Sequence, residues 1–125
     1  MWTFSQSTGG ISHNGVHAGT GYAGGNKGAN PEGVDNPSEQ NIPRVGPLPR
    51  GFYTIEQPNN HIGPFSMPLT PDASNEMFGR SGFYIHGDNV ERAGQEAGSE
   101  GCIVTGRATR EAIWNSGDHR LEVNE

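Results

Sequence analysis

The sequence predicts a mostly β domain, a small sandwich or partly open barrel with one late α-helix. Three observations predict this class. Short segments in which apolar and polar residues alternate recur along the chain, as they do in strands with one buried face. The 125 residues include 20 glycines and 9 prolines, so turns are frequent and elements short. Only residues 107–115 combine helical spacing with a clear stop signal. The length fits a single domain spanning residues 1–125. Five Phe, three Tyr and two Trp supply the buried area of a modest core.

The elements follow in order. Trp2 to Ser5 is a first strand, Thr8-Gly9-Gly10 a turn, and Ile11 to His13 a second strand. Asn14-Gly15 predicts a type I′ hairpin, because both central positions of that turn need positive φ. Val16, Ala18, Thr20 and Tyr22 then alternate as a third strand. Residues 23–41, rich in Gly, Asn, Pro and Glu, form a long loop of the kind that is often functional. Gly46 to Gly51 is a turn into a strand from Phe52 to Glu56. Phe65, Met67 and Leu69 alternate in another, where Pro68 favours an edge position. Gly82 to His86 is a strand with Phe83 and Ile85 on one face, Tyr84 and His86 on the other. Cys102-Ile103-Val104 is short, apolar and buried. A helix runs from about Arg107 to Asn115, with Thr105 as N-cap, Ala108, Ala112 and Ile113 towards one side, and Asn115-Ser116-Gly117 as the stop. His119, Leu121 and Val123 alternate in a last strand.

Several function classes are excluded. No apolar run approaches the roughly 18 residues of a membrane span, so no membrane insertion is expected. Met1-Trp2-Thr3-Phe4-Ser5 lacks the basic and apolar segments of a secretory signal, and the expectation is a soluble chain made in the cytoplasm without a leader. A single cysteine allows no internal disulfide and no Cys-rich metal site. The net charge is −6, and residues 51–125 carry five basic against eleven acidic residues. That balance opposes a nucleic-acid surface.

Chemistry concentrates in one stretch. A strand ends in His86-Gly87-Asp88, and sixteen residues after the histidine the turn Ser99-Glu100-Gly101-Cys102 presents the only cysteine. A thiol attacks a carbonyl as thiolate, and a neighbouring imidazole can take its proton and later protonate the leaving amine. Glycine at 101 permits close backbone approach, and the Gly101 and Cys102 amides are candidates for an oxyanion hole. Gly87 leaves space beside the histidine. The competing reading is a buried cysteine acting as a small hydrophobe, beside a histidine that is merely hydrogen-bonded. Ser99 either orients His86 or forms the turn. Asp88 either orients the imidazole or caps the loop. His13, His17 and His61 read as exposed or loop residues. His119 follows the helix, where a cation is favourable. A zinc site lacks paired ligand spacing, so neither metal nor cofactor is expected.

The order His86-Gly87 then Ser99-x-Gly101-Cys102 resembles the His-Gly…Ser-x-Gly-Cys signature of the L,D-transpeptidase (YkuD-type) enzymes. Pro47-Leu48-Pro49-Arg50-Gly51-Phe52-Tyr53-Thr54-Ile55 is similar to the Thr-Pro-x-Gly-x-Phe/Tyr-x-Ile stretch of the same family. The whole chain more closely resembles the L,D-transpeptidase-like (Tlde-type) antibacterial toxins delivered by type VI secretion. Residues 1–9, 75–82, 99–103 and 113–121 carry that match. The resemblance implies a fold of L,D-transpeptidase type, with His86 as base and Cys102 as nucleophile. It implies cleavage of peptidoglycan tetrapeptide stems between meso-diaminopimelate and terminal D-alanine, through a thioester. Resolution by water is L,D-carboxypeptidase activity; resolution by a D-amino acid is exchange. It further implies a secretion apparatus, action in the periplasm of target bacteria and a cognate immunity protein. Where the family pattern has arginine two residues after the cysteine, this chain has Val104. Arg80, Arg107 and Arg110 are the alternatives for a substrate carboxylate, and Tyr84 is a further substrate-facing candidate.

A non-enzymatic reading stands beside this one: a β-domain binding cell-wall glycan or a partner protein, with Cys102 structural. A papain-like arrangement needs a histidine after the cysteine, and only His119 follows it.

Overall fold

The computed structural model describes residues 1–25, 33–87 and 101–125. The alternating segments form eight strands: β1 (Trp2–Ser5), β2 (Gly10–His13), β3 (Val16–Ala23), β4 (Gly51–Ile55), β5 (Met67–Pro71), β6 (Tyr84–His86), β7 (Ile103–Thr105) and β8 (Arg120–Asn124). One helix, α1 (Arg107–Asn115), precedes the last strand. The mostly β class with a single late helix holds. The sandwich and the partly open barrel do not, because the strands close in the order β1-β2-β3-β7-β6-β5-β4-β8. Closure is made by the two ends of the chain. β1 runs parallel to β8, with Trp2 opposite Leu121 and Phe4 opposite Val123. A second parallel seam joins β6 to β7, and the remaining neighbours are antiparallel. A closed ring leaves no unpaired strand edge.

Local chemistry explains most of the elements. Asn14 and Gly15 have φ of 50° and 85°, the pair of positive angles a type I′ turn requires. Pro68 does not lie on an edge, because β5 is flanked by β4 and β6. It is tolerated because its missing N–H faces the β4 side beyond Ile55, where β4 has ended and Glu56 N–H donates to the Pro68 carbonyl. The long loop contains a 3-10 turn at Pro37–Glu39, where the Asn36 side chain accepts from Ser38 N.

The barrel interior is filled by Trp2, Phe4, Ile11, Ile55, Ile85, Ile103 and Leu121, with Ile113 of α1 wedged among them. The space between them is about 10 Å³ and its lining is apolar, so it offers an ordered water no polar partners. Each such side chain contributes about 1.5–3 kcal/mol on burial. The helix end and face differ from expectation. Its N-cap is Gly106, with no side-chain cap, because the Thr105 hydroxyl donates instead to Thr20 O at 3.0 Å. The buried residues of α1 are Arg110 and Ile113, three apart on one face, while Ala108 and Ala112 are exposed. His13 is not a free surface residue either. It stacks on Trp2 with ring centres 4.2 Å apart, and its Nε2 lies 2.9 Å from Asp118 Oδ2. His119 stacks on Trp114 at 4.1 Å.

Candidate active site

The parallel β6–β7 pair brings the two chemical residues to neighbouring strands. Ile85 lies opposite Ile103 and His86 opposite Val104. Ile85 and Ile103 point into the barrel, so alternation turns Tyr84 and His86 to the other face of β6. Cys102 precedes β7 by one residue and meets the start of β6. The Tyr84 N–H donates to Cys102 Sγ at 3.3 Å. Sγ also lies 3.9 Å from the Gly82 carbonyl, a distance at which a thiol donates weakly. Amide donation to sulfur favours the thiolate over the thiol.

His86 is buried, and its Nδ1 lies 2.8 Å from the Gly87 carbonyl oxygen. A carbonyl can only accept, so Nδ1 carries a proton, and in the neutral imidazole Nε2 is then the basic nitrogen. The group that sets this tautomer is the neighbouring main chain. Asp88 and Ser99, expected as orienting residues, lie outside the described residues.

Cys102 itself is 1% exposed and packs in the core cluster. Gly101 is held just as closely. Its φ is +103°, and a Cβ there would come 2.6 Å from Arg80 Nη2 and 2.9 Å from Gly46 O. The Gly101 carbonyl accepts from Leu48 N at 3.0 Å, which ties the cysteine turn to the 46–49 segment.

Two buried arginines flank the pair. Arg80 donates to the carbonyls of Gln40 (2.6 Å), Pro47 (2.7 Å) and Gly46 (3.1 Å), with its Cζ 5.2 Å from the Phe83 ring centre. Its guanidinium faces inward and binds the 40–47 segment to the cysteine turn. Arg110 donates to Thr105 O at 2.5 Å and Phe65 O at 3.1 Å, with Pro64 O at 3.4 Å. The space beside Gly87 is therefore not open. A Cβ at residue 87 would lie 2.6 Å from Arg110 Nη1 and 3.0 Å from Cζ. Burial, then the charge of Arg107, pull the Arg110 guanidinium below its usual pKa. Val104 is buried between Tyr22 and His86, so this strand position offers no guanidinium, and the one packed against Gly87, next in the chain to the histidine, comes from α1. The sequence signal was the spacing of Arg110 to Ile113.

The side chains of the remaining candidates take no part in these arginine contacts. Tyr84 is half-buried. Arg107 is exposed, pairs with Glu111 at 2.9 Å and stacks over Phe65 at 4.7 Å. No group of three or more His, Cys, Asp or Glu among the described residues could hold a metal ion.

Comparison with known families decides the coarse assignment. The model of the Tlde1 domain matches residues 20–124, which include His86, Cys102 and both buried arginines. The chain belongs to the Tlde1 domain family. This family is associated with type VI secretion effectors, which places the chain among effector-type toxin domains. No curated protein and no solved structure matches the chain. No helix among the described residues is long and apolar enough to cross a membrane. The Tlde1 match leaves out β1, β2 and the start of β3; β1 closes the barrel by pairing with β8.

Proposed function

We propose that this Tlde1 domain is a cysteine enzyme of L,D-transpeptidase type acting on peptidoglycan tetrapeptide stems in the periplasm of target bacteria. The observation that carries the reading is the Tyr84 amide on the Cys102 sulfur, on the strand whose His86 has its Nδ1–H held by Gly87. That arrangement supplies a nucleophile whose anion is favoured and an imidazole with its second nitrogen able to accept a proton.

The steps balance with these two side chains alone. His86 Nε2 takes the Cys102 proton, and Sγ attacks the amide carbonyl between meso-diaminopimelate and D-alanine. The Gly101 and Cys102 amides are the candidates to receive the developing oxyanion, with Gly87 and the sequence-assigned Ser99 and Asp88 supporting. His86 then gives its proton to the leaving amine of D-alanine, and a thioester remains. Water resolves it to the tripeptide; a D-amino acid resolves it to an exchanged stem. Either product removes the donor stem needed for cross-linking. Tyr84 and Arg107 are the substrate-facing residues, whereas Arg80 and Arg110 hold the framework. The immunity partner would protect the producer by covering the face that carries Cys102.

The burial of Cys102 favours a second reading, in which the domain binds wall glycan or a protein and the cysteine only packs. One experiment separates the two. Disaccharide-tetrapeptides incubated with the protein are followed by mass spectrometry, with Cys102→Ala and His86→Ala as controls. Loss or exchange of the terminal D-alanine, abolished in Cys102→Ala and reduced about 10²–10⁴-fold in His86→Ala, supports the enzyme. Unchanged stems with folded protein support the binding reading.

A further inference from the structure

A groove of about 370 Å³ lies between the 57–65 segment and α1, and of its lining residues the chemistry above uses only Arg107. Its two aromatic lining residues, Phe65 and Trp114, are each held by a stacked partner. On one side the Arg107 guanidinium lies 4.7 Å over the Phe65 ring. On the other, Trp114 is stacked on His119 with planes 1° apart. Between them stand the side-chain amides of Gln57 and Asn60, which make no hydrogen bond among the described residues.

The groove is built rigidly. Asn59 and Ser66 exchange main-chain hydrogen bonds at 2.8 and 2.9 Å, and the Ser66 hydroxyl donates to Gly63 O at 2.8 Å. Phe65 is held at φ +54°, a conformation that costs a bulky residue about 1–3 kcal/mol and persists only when its surroundings enforce it. Two arginines three residues apart provide that restraint. Arg110 donates to the Phe65 carbonyl while Arg107 covers its ring.

The lining selects the class of ligand. Arg107 has its charge offset by Glu111 at 2.9 Å, so the groove is not a net receptor for anions. Half-buried aromatic rings beside exposed planar amides suit a neutral ligand that has C–H groups and paired donors and acceptors. A pyranose with an N-acetyl group has both. We infer that this groove is a second ligand site and that it takes an uncharged, N-acetylated saccharide. The inference rests on the stem-processing reading only in identifying that saccharide as the glycan strand from which the stem hangs. The groove adjoins that chemistry through Arg110, whose guanidinium touches Pro64 and Phe65 on one side and packs against Gly87 on the other.

The test is a titration of the whole 15N-labelled chain with the linear tetramer of N-acetylglucosamine, read by amide and indole N–H shifts. The expected result is saturable shifts confined to residues 57–65, the first turn of α1 and the Trp114 indole. Gln57→Ala and Asn60→Ala alter exposed side chains, and thermal unfolding checks that both variants are folded. Each should weaken binding by about 2- to 12-fold, the loss of one ordinary hydrogen bond. No saturable shift, shifts elsewhere, insensitivity to both variants, or the same shifts from a free stem peptide but not the sugar would each overturn the site. Stem processing is measured on the same preparations. D-alanine release without sugar binding removes only the groove; sugar binding without stem processing removes only the chemistry assigned to Cys102.

Discussion

Replacing Arg110 with methionine removes the guanidinium that links α1, the 64–65 segment and the turn after His86, while keeping most of the side-chain volume. Two bonds are well formed, at 2.5 Å to Thr105 O and 3.1 Å to Phe65 O; the third, at 3.4 Å to Pro64 O, is marginal. A hydrogen bond from a charged donor contributes about 1.5–3 kcal/mol, so two give about 3–6 kcal/mol. Burial of the cation opposes this, the same desolvation that lowers its pKa. The net loss expected for Arg110→Met is about 2–4 kcal/mol. An unfolding entropy of ~2.1 cal/mol/K per residue over this chain converts that to a fall in Tm of about 8–15 °C. Circular dichroism melts measure it. Gly87→Ala supplies the decisive control, because its new Cβ would meet Arg110 at 2.6 Å. It should destabilise the wild-type background and be nearly neutral in Arg110→Met, with a coupling of at least ~1 kcal/mol in the double-mutant cycle. An Arg110→Met variant within ~0.5 kcal/mol of wild type, or strict additivity with Gly87→Ala, would refute the reasoning.

Two further outcomes follow from the same geometry. Gly101→Ala forces a side chain into left-handed backbone at φ +103° and against Arg80 Nη2; it should cost at least about 1–3 kcal/mol and abolish stem processing, checked by a melt and by the mass-spectrometric assay. Burial raises the Asp35 carboxyl pKa despite its bond from Ala23 N. A raised carboxyl pKa penalises the folded state at neutral pH, and that penalty disappears as pH falls through the folded pKa towards the unfolded value near 4. Asp35→Asn should therefore be more stable than wild type at pH 7, with the difference vanishing below about pH 4; denaturant titrations at the two pH values measure it.

Much of the strand content was legible because two-residue alternation is a local signal, and the Asn14-Gly15 hairpin and the stop of α1 at Asn115-Ser116-Gly117 follow from residue chemistry alone. Closure of the barrel was not, since the same alternation serves a sandwich. It depends on Trp2 finding Leu121 across nearly the whole chain. The pairing of Cys102 with the His86 strand was legible from a motif, while its physical support was not. Arginines read as surface residues by type, yet Arg80 and Arg110 are buried because main-chain carbonyls from distant segments converge on them. The alanines expected on the buried face of α1 are displaced by Arg110 for the same reason. Gly87 appeared to provide space, and only the folded chain shows that space filled by Arg110.

The central claim is that Cys102 is an activated thiol with His86 as its base. The most direct measurement is the pH dependence of Cys102 alkylation by iodoacetamide, in wild type and in His86→Gln. The account predicts a wild-type titration midpoint well below ~8.5, moving upward in His86→Gln. A thiol that stays unreactive throughout, or that titrates at or above that value in both proteins, would contradict it.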